Sequence, residues 1–357
     1  MLSGRSKCNI PGNLYFIFCF TGLILKSRKY NWYRVTSGIF IIILMYVNVD
    51  NWIFTFLYHY HTKRAFVAYI IPYWLTAWMW YAAYLKRKKL TMLLKMFQRF
   101  KSDEKIVSIL PFIFGCLTMV NSLLITTKTH EFNPTFYTYG YDTGFSWVQT
   151  VIAFIKVCLF GSVFPTYANM VTLLYCILCF RCSKMLNKLS QEVTECPLEL
   201  FTPSKRFEVI KEKSKIDEIL SLIQDIFSLP TFAIVVANLF MCFSILSIYL
   251  DSRIEEDEMG IKVFLLNASN SFGCLVFILW MAGKVNIEDQ IFKEAFHTKV
   301  KQRMIVVKTH EKFQSEKLLL AKPDFVFTGW NVFSYRRNSI FVLVGTLLTY
   351  TVLFDSK

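Results

Sequence analysis

Residues 65–89 read AFVAYIIPYWLTAWMWYAAYLKRKK, an apolar, aromatic-rich run from Ala65 to Leu85 stopped by Lys86-Arg-Lys-Lys89. About 20 such residues cross a hydrocarbon core as one helix, and a basic cluster at the end of the run stays on the cytoplasmic side. The same reading along the chain finds seven apolar stretches: Val35–Tyr58, Ala65–Leu85, Ile106–Thr126, Phe145–Phe180, Leu229–Leu250, Ile261–Gly283 and Ile340–Phe354. Of the 40 Lys and Arg residues, 33 fall in alternate gaps between these stretches, beginning with the amino-terminal one. The expected fold class is therefore an all-α integral membrane protein with seven transmembrane helices. Its amino terminus is cytoplasmic and its carboxyl terminus extracellular.

Composition agrees. A chain with 54% hydrophobic and 17% aromatic residues and a mean hydropathy of +0.40 is too apolar for an ordinary soluble domain. The formal charge of +15 is sorted by loop parity, which the positive-inside rule accounts for without nucleic acid as a partner. None of the ten cysteines lies in the gaps assigned to the outside, so no disulfide framework staples external loops. Cys176, Cys179 and Cys182 form a C-x2-C-x2-C string at the cytoplasmic end of an apolar helix. With no fourth ligand nearby it reads as reduced packing, or as a lipid-modified Cys182, rather than a zinc site. No cofactor motif is present: His310-Glu311 lacks a second histidine, and no glycine loop could cradle phosphate.

The gaps carry structure of their own. Ahead of the first span, the short run Asn13–Leu25 is followed at once by Lys-Ser-Arg-Lys, with no small-residue cleavage pattern. It reads as a re-entrant or interfacial segment, with a cleaved signal as the alternative. Thr127–Gly144 holds a single Lys, and Asp251–Gly260 has five acidic residues to one Arg, as external gaps should. The stretch Phe145–Phe180 is longer than a span needs and contains Pro165, where a kink is expected. Between spans, Ile216, Ile219, Leu220, Ile223, Ile226 and Phe227 recur at helical spacing, as do Ile287, Ile291, Phe292, Ala295 and Phe296. These amphipathic faces predict long cytoplasmic extensions of the fourth, fifth and sixth spans, packed into one bundle. The expected division is a cytoplasmic segment 1–34, a six-span ligand-binding bundle 35–283, a cytoplasmic assembly region 284–339, and a seventh span with the outer carboxyl end, 340–357. The last apolar run is only 15 residues, ~22 Å of helix, which suits a helix shielded by others.

The segment Phe327-Thr-Gly-Trp-Asn-Val-Phe-Ser-Tyr-Arg-Arg-Asn-Ser-Ile340, followed by Gly345-Thr-Leu-Leu-Thr-Tyr350, resembles the final-span signature of arthropod gustatory receptors. In that signature Thr-Tyr is followed by five mostly apolar residues and then Gln-Phe. Thr349 and Tyr350 match, while Ser356 and Lys357 stand at the Gln-Phe positions. The resemblance covers the seven-span layout in pattern and the carboxyl end in motif. It implies a ligand-gated, non-selective cation channel at the plasma membrane. Four subunits, identical or related, would surround a pore lined by the seventh helix. The partners so implied are a small-molecule tastant or other chemical ligand, permeant cations, membrane lipid and related receptor subunits. Thr346, Thr349 and Tyr350, with Thr351, are the pore-lining candidates. They read equally as helix-packing hydroxyls. Asp355 would place four carboxylates at the pore mouth, where they attract cations.

Small-ligand pockets are mostly apolar and aromatic with a few placed polar groups. Tyr69, Tyr73 and Trp74 in the second span, Asn121 and Ser122 in the third, Trp147 and Gln149 in the fourth, and Asn267 and Asn270 in the sixth fit that character near the outer ends. Each has an alternative: interfacial belt for the aromatics, helix-to-helix bonding for the amides. The Asn267-Ala-Ser269 sequon falls within a span, where it is not expected to be used. Two charges stand inside spans, Asp50 and Lys156, at similar expected depths of ~12–16 Å. Such charges are costly, and the two are expected to pair or share a cavity.

A secondary transporter is the alternative class, although no internal repeat is visible. A G-protein-coupled receptor is disfavoured by the inverted sidedness. Asn133-Pro-Thr-Phe-Tyr137 matches N-P-x-x-Y in letters but lies in an external gap rather than in the last span.

Overall fold

The computed structural model describes residues 12–24, 32–57, 63–97, 105–127, 137–141, 144–250, 258–307 and 323–355. They are almost wholly helical: α1 (Gly12–Phe20), α2 (Trp32–Leu57), α3 (Lys63–Leu85), α4 (Arg87–Phe97), α5 (Lys105–Thr127), α6 (Ser146–Gly161), α7 (Ala168–Glu195), α8 (Pro203–Leu250), α9 (Glu258–Val307) and α10 (Ser339–Asp355). Five stretches are long and apolar enough to cross a membrane: Val35–Phe54, Ile109–Thr126, Ser146–Glu195, Pro203–Leu246 and Leu265–Ile305. The quoted run 65–85 is helix α3, and the expected short seventh span is helix α10 of 17 residues. Helices suit such sequences because hydrocarbon offers backbone amides no partner, so each segment must satisfy its own. Polar side chains within the helices do the same: Asn48 Nδ2 donates to Leu44 O at 2.7 Å and Thr76 Oγ1 to Pro72 O at 2.7 Å.

The chain divides into two compact units. One comprises Met1–Leu173, Leu229–Leu275 and Leu343–Lys357; the other comprises Leu174–Ser228 and Val276–Val342. Helices α7, α8 and α9 each contribute residues to both. In the first unit, the amino-terminal run is helix α1, with Leu14, Phe18 and Cys19 buried. The indole of Trp80 on α3 donates to Thr21 O at 3.0 Å just beyond its end.

In the second unit the expected stripe on α8 is fully buried, with Leu220 and Ile223 at 0% exposure. Helix α8 is continuous through Pro230. The expected stripe on α9 needs correction. Ile291 is 43% exposed, and the buried positions are Val285, Asp289, Phe292, Phe296 and Val300. The true face runs through a carboxylate, because Asp289 meets Lys213 at 2.7 Å and accepts from Phe325 N at 3.1 Å. Lys213 also pairs with Asp217, and Lys293 reaches Asp324 at 2.9 Å. Cys182 is 0% exposed, so the lipid-modified alternative fails for want of access.

The carboxyl segment ahead of α10 is a small clamp. Strand β1 (Thr328–Gly329) pairs antiparallel with β2 (Phe333–Ser334), and the connection holds Trp330 and Asn331 at positive φ. Gln224 on α8 brackets Thr328, donating to its carbonyl at 2.9 Å and accepting from its amide at 3.1 Å. Phe327 packs edge-on to Tyr175 at 5.7 Å. Beyond the hairpin, Arg337 lies 4.3 Å over the Trp280 ring. Its backbone runs so close to α9 that a Cβ at Gly283 would stand 3.0 Å from the Arg337 amide nitrogen.

Removing one partner from a buried ion pair costs about 3–5 kcal/mol, whereas exposed pairs are worth about 0–1 kcal/mol. Lys213→Met is therefore expected to lower the thermal unfolding midpoint of the purified protein strongly. Lys205→Met, which removes exposed pairs to Glu192 and Glu208, should leave it nearly unchanged.

The carboxyl of Asp324 is held below the usual carboxylate range by hydrogen bonds from Lys293 first and Gln290 second. A depressed folded value gives stability that is present above the unfolded value of about 3.9 and is lost as pH falls through the lowered one. Asp324→Asn should remove that acid-side dependence from unfolding curves.

Candidate functional site

Pro165 has no N–H to donate, and its ring obstructs the preceding turn. Helix α6 accordingly ends at Gly161, residues Ser162–Tyr167 wind as a wider π-type turn with Phe164 extended (φ −139, ψ 128), and α7 begins at Ala168. The expected kink is thus a full break. Beside it, within the first unit, lies a cavity of about 90 Å³.

Six helices and the break supply its walls. Tyr73 comes from α3, Thr118, Asn121 and Ser122 from α5, Phe160 from α6, and Met241 from α8. Phe164 and Thr166 come from the break, Asn169 from the start of α7, and Asn267 and Asn270 from α9. Tyr73 is 3% exposed and meets Phe160 and Phe164 edge-on at 5.7 and 6.0 Å. Among the described residues lining the cavity there is no Asp, Glu, Lys, Arg or His.

Its polar groups are ordered by a few bonds. Thr118 Oγ1 donates to Phe114 O at 3.0 Å, which uses its proton, so the Thr166 hydroxyl donates to Thr118. Ser122 Oγ donates to Thr118 O at 2.8 Å. Asn169 Nδ2 donates to Asn270 Oδ1 at 2.7 Å, joining the start of α7 to α9. Two of its amide atoms are buried with no hydrogen-bond partner among the described residues: Asn121 Oδ1, an acceptor, and Asn270 Nδ2, a donor.

Of the ligand candidates read from the sequence, Tyr73, Asn121, Ser122, Asn267 and Asn270 come together here. Gln149 is buried at 4% exposure but does not line the cavity. Trp74 is 46% exposed and sits edge-on to Trp52 at 5.9 Å, and Trp147 is also exposed. The Tyr69 side chain lies outside the described residues. On α10, Thr346 and Thr349 are exposed, and Thr349 Oγ1 donates to Gly345 O at 2.8 Å. The side chains of Tyr350, Thr351 and Asp355 lie outside the described residues. Thr118, Thr166 and Asn169 were missed. The signal for the last two was their place within four residues of Pro165, where a broken helix turns polar groups inward.

The two intraspan charges meet away from the cavity. Lys156 Nζ is 3.1 Å from Asp50 Oδ1, with side-chain exposures of 8% and 1%. The Tyr139 hydroxyl, from the segment between α5 and α6, donates to the same carboxylate oxygen. The ammonium lies 3.8 Å from the Tyr139 ring centre and 5.1 Å from that of Phe54. Nothing in the sequence marked Tyr139, one of several tyrosines in its gap.

The chain has the fold of an insect olfactory receptor. It matches a solved structure of the insect olfactory receptor OR5 from Machilis hrabei with a TM-score of 0.72 at 14% identity, over 95% of this chain and 97% of that one. It matches the structure of the same receptor in complex with eugenol with a TM-score of 0.76 at 13% identity, over 96% of each chain. No protein-family model matches the sequence, and no curated protein matches it.

Asp50→Asn and Lys156→Met should each destabilise by about 3–5 kcal/mol, and the double variant by clearly less than the sum. Thermal unfolding of the three purified variants measures the coupling; strict additivity would mean that the two charges act independently.

Proposed function

We propose that this chain is a chemosensory receptor that is itself a ligand-gated, non-selective cation channel of gustatory type. The observation that carries this reading is the likeness of fold, which extends over 95–96% of the chain. The uncharged, amide-bearing cavity supports a small-molecule ligand, and one of the matched structures holds eugenol in a receptor of the same fold. Seven spans and a cytoplasmic amino terminus follow from the distribution of basic residues, and a plasma-membrane location goes with the channel reading. In this reading four subunits surround a pore lined by α10. The region 284–339, with its hairpin clamp and α9, serves assembly on the cytoplasmic side.

Binding in the cavity has a direct mechanical consequence. Its walls include the α6–α7 break and residues of α3, α5, α8 and α9. A ligand that prefers one arrangement of these helices shifts the population toward it. Coupling to the pore then requires only that α10 differ between the two arrangements.

Whole-cell recording from cells expressing the full chain tests the proposal. Ligand-evoked cation currents are expected, and Asp355→Asn should lower the cation-to-anion permeability ratio by removing a ring of carboxylates. Substrate flux without channel conductance would replace the channel with a transporter, and signalling that depends on a G protein would replace it with a coupled receptor.

A further inference from the structure

We propose that the cavity beside Pro165 selects small, neutral, hydroxyl-bearing molecules, an inference that rests on reading this cavity as the ligand site. Three observations carry it. The first is charge. With no Asp, Glu, Lys, Arg or His among the described lining residues, a carboxylate or ammonium ligand would enter the site with no counter-charge to replace its lost hydration. Charged amino acids, fatty acids and amines are therefore rejected.

The second is the pair of unmatched amide atoms. Asn121 Oδ1 needs a donor and Asn270 Nδ2 needs an acceptor, and neither finds one among the described residues. A buried polar atom without a partner costs about 1–3 kcal/mol. A purely apolar ligand would seal both in that state. A hydroxyl is both donor and acceptor, so a molecule with one or two hydroxyls satisfies them. Two neighbouring hydroxyls do not supply Asn121 with its donor. Ser122 and Thr118 spend their protons on backbone carbonyls, and Asn169 spends one of its amide protons on Asn270 Oδ1. That last bond also fixes Asn270 with its donor end free.

The third is size. An apolar cavity of about 150 Å³ takes up benzene, so the ~90 Å³ here fits about four or five heavy atoms. Apolar wall from Phe114, Leu117, Ile125 and Val157 suits the methylenes of such a molecule. Short-chain diols and hydroxy-carbonyl compounds meet all three conditions.

The test uses four probes of five heavy atoms each: propane-1,3-diol, n-pentane, butylammonium and propanoate. Their binding to the purified full chain in lipid nanodiscs is measured by ligand-observed NMR, beside whole-cell currents. A site built to hydrogen-bond its ligand rejects analogues that lack the group. The diol should bind about tenfold or more tightly than each of the others, and Asn121→Leu should bring it down to the level of n-pentane. Pentane, butylammonium or propanoate binding as well as the diol would overturn the inference. So would diol binding untouched by Asn121→Leu, or no diol binding at all. The wild-type ranking decides the matter even if the variant does not fold. Selective diol binding without current would retain this ligand class and sink the channel reading. Currents evoked equally by a charged or apolar probe would do the reverse.

Discussion

A helix in hydrocarbon must satisfy every backbone donor and acceptor within itself, and at Pro165 the chain departs from a continuous helix. Pro165 cannot continue the α6 ladder, so the chain opens between Gly161 and Ala168. Opening frees side chains to turn toward the neighbouring helices: Phe164 packs against Tyr73, Thr166 bonds Thr118, and Asn169 bonds Asn270. These contacts draw α3, α5 and α9 around the break and leave the cavity between them. A straight helix over the same residues would bury Phe164 and Asn169 along different directions and lose the enclosure. The cavity is in this sense the space left where a helix cannot be completed.

A second constraint holds the same unit from another side. The Asp50 carboxylate and the Lys156 ammonium would each be prohibitively costly alone in an apolar interior. They meet at 3.1 Å and are finished by the Tyr139 hydroxyl and two aromatic faces. Buried pairs of this kind rarely add net stability over an apolar substitute. What the pair does is fix geometry, since α2, α6 and the segment carrying Tyr139 have one arrangement that leaves neither charge unmatched. Because Tyr139 lies outside the helices, the pair also ties that connecting segment to the helix interior.

The sequence showed the helices far better than it showed their faces. Length and apolarity marked the runs that became α2, α3, α5 and α10, because hydrocarbon leaves the backbone one solution. Amides at 121, 267 and 270 stood out because each interrupts an apolar run, and all three reach the cavity. Thr166 and Asn169 did not stand out, since a 36-residue apolar stretch (145–180) gives no cue to which side a residue takes once the helix breaks. Gln149 and Trp74 do not line this cavity, a matter of rotation about the helix that periodicity alone leaves open. On α9 the expected stripe took apolar residues only, whereas the buried face includes Asp289, paired with a lysine from α8.

That lysine changes the reading of the second unit. Lys213, Asp217, Asp289, Lys293 and Asp324 form a chain of opposite charges running from α8 through α9 to the segment before β1. Apolar stripes alone would let α8 and α9 slide by a turn at modest cost, because one leucine resembles another. Charges at fixed positions do not allow it: a one-turn shift would strand Lys213 beside apolar neighbours and leave Asp289 unpaired. The Gln224 bracket on Thr328 adds the same kind of positional demand to the hairpin. The hairpin in turn precedes α10 by only five residues, Ser334 to Ser339. A register lock on α8 and α9 therefore becomes, through a short and bonded linker, a constraint on where α10 begins.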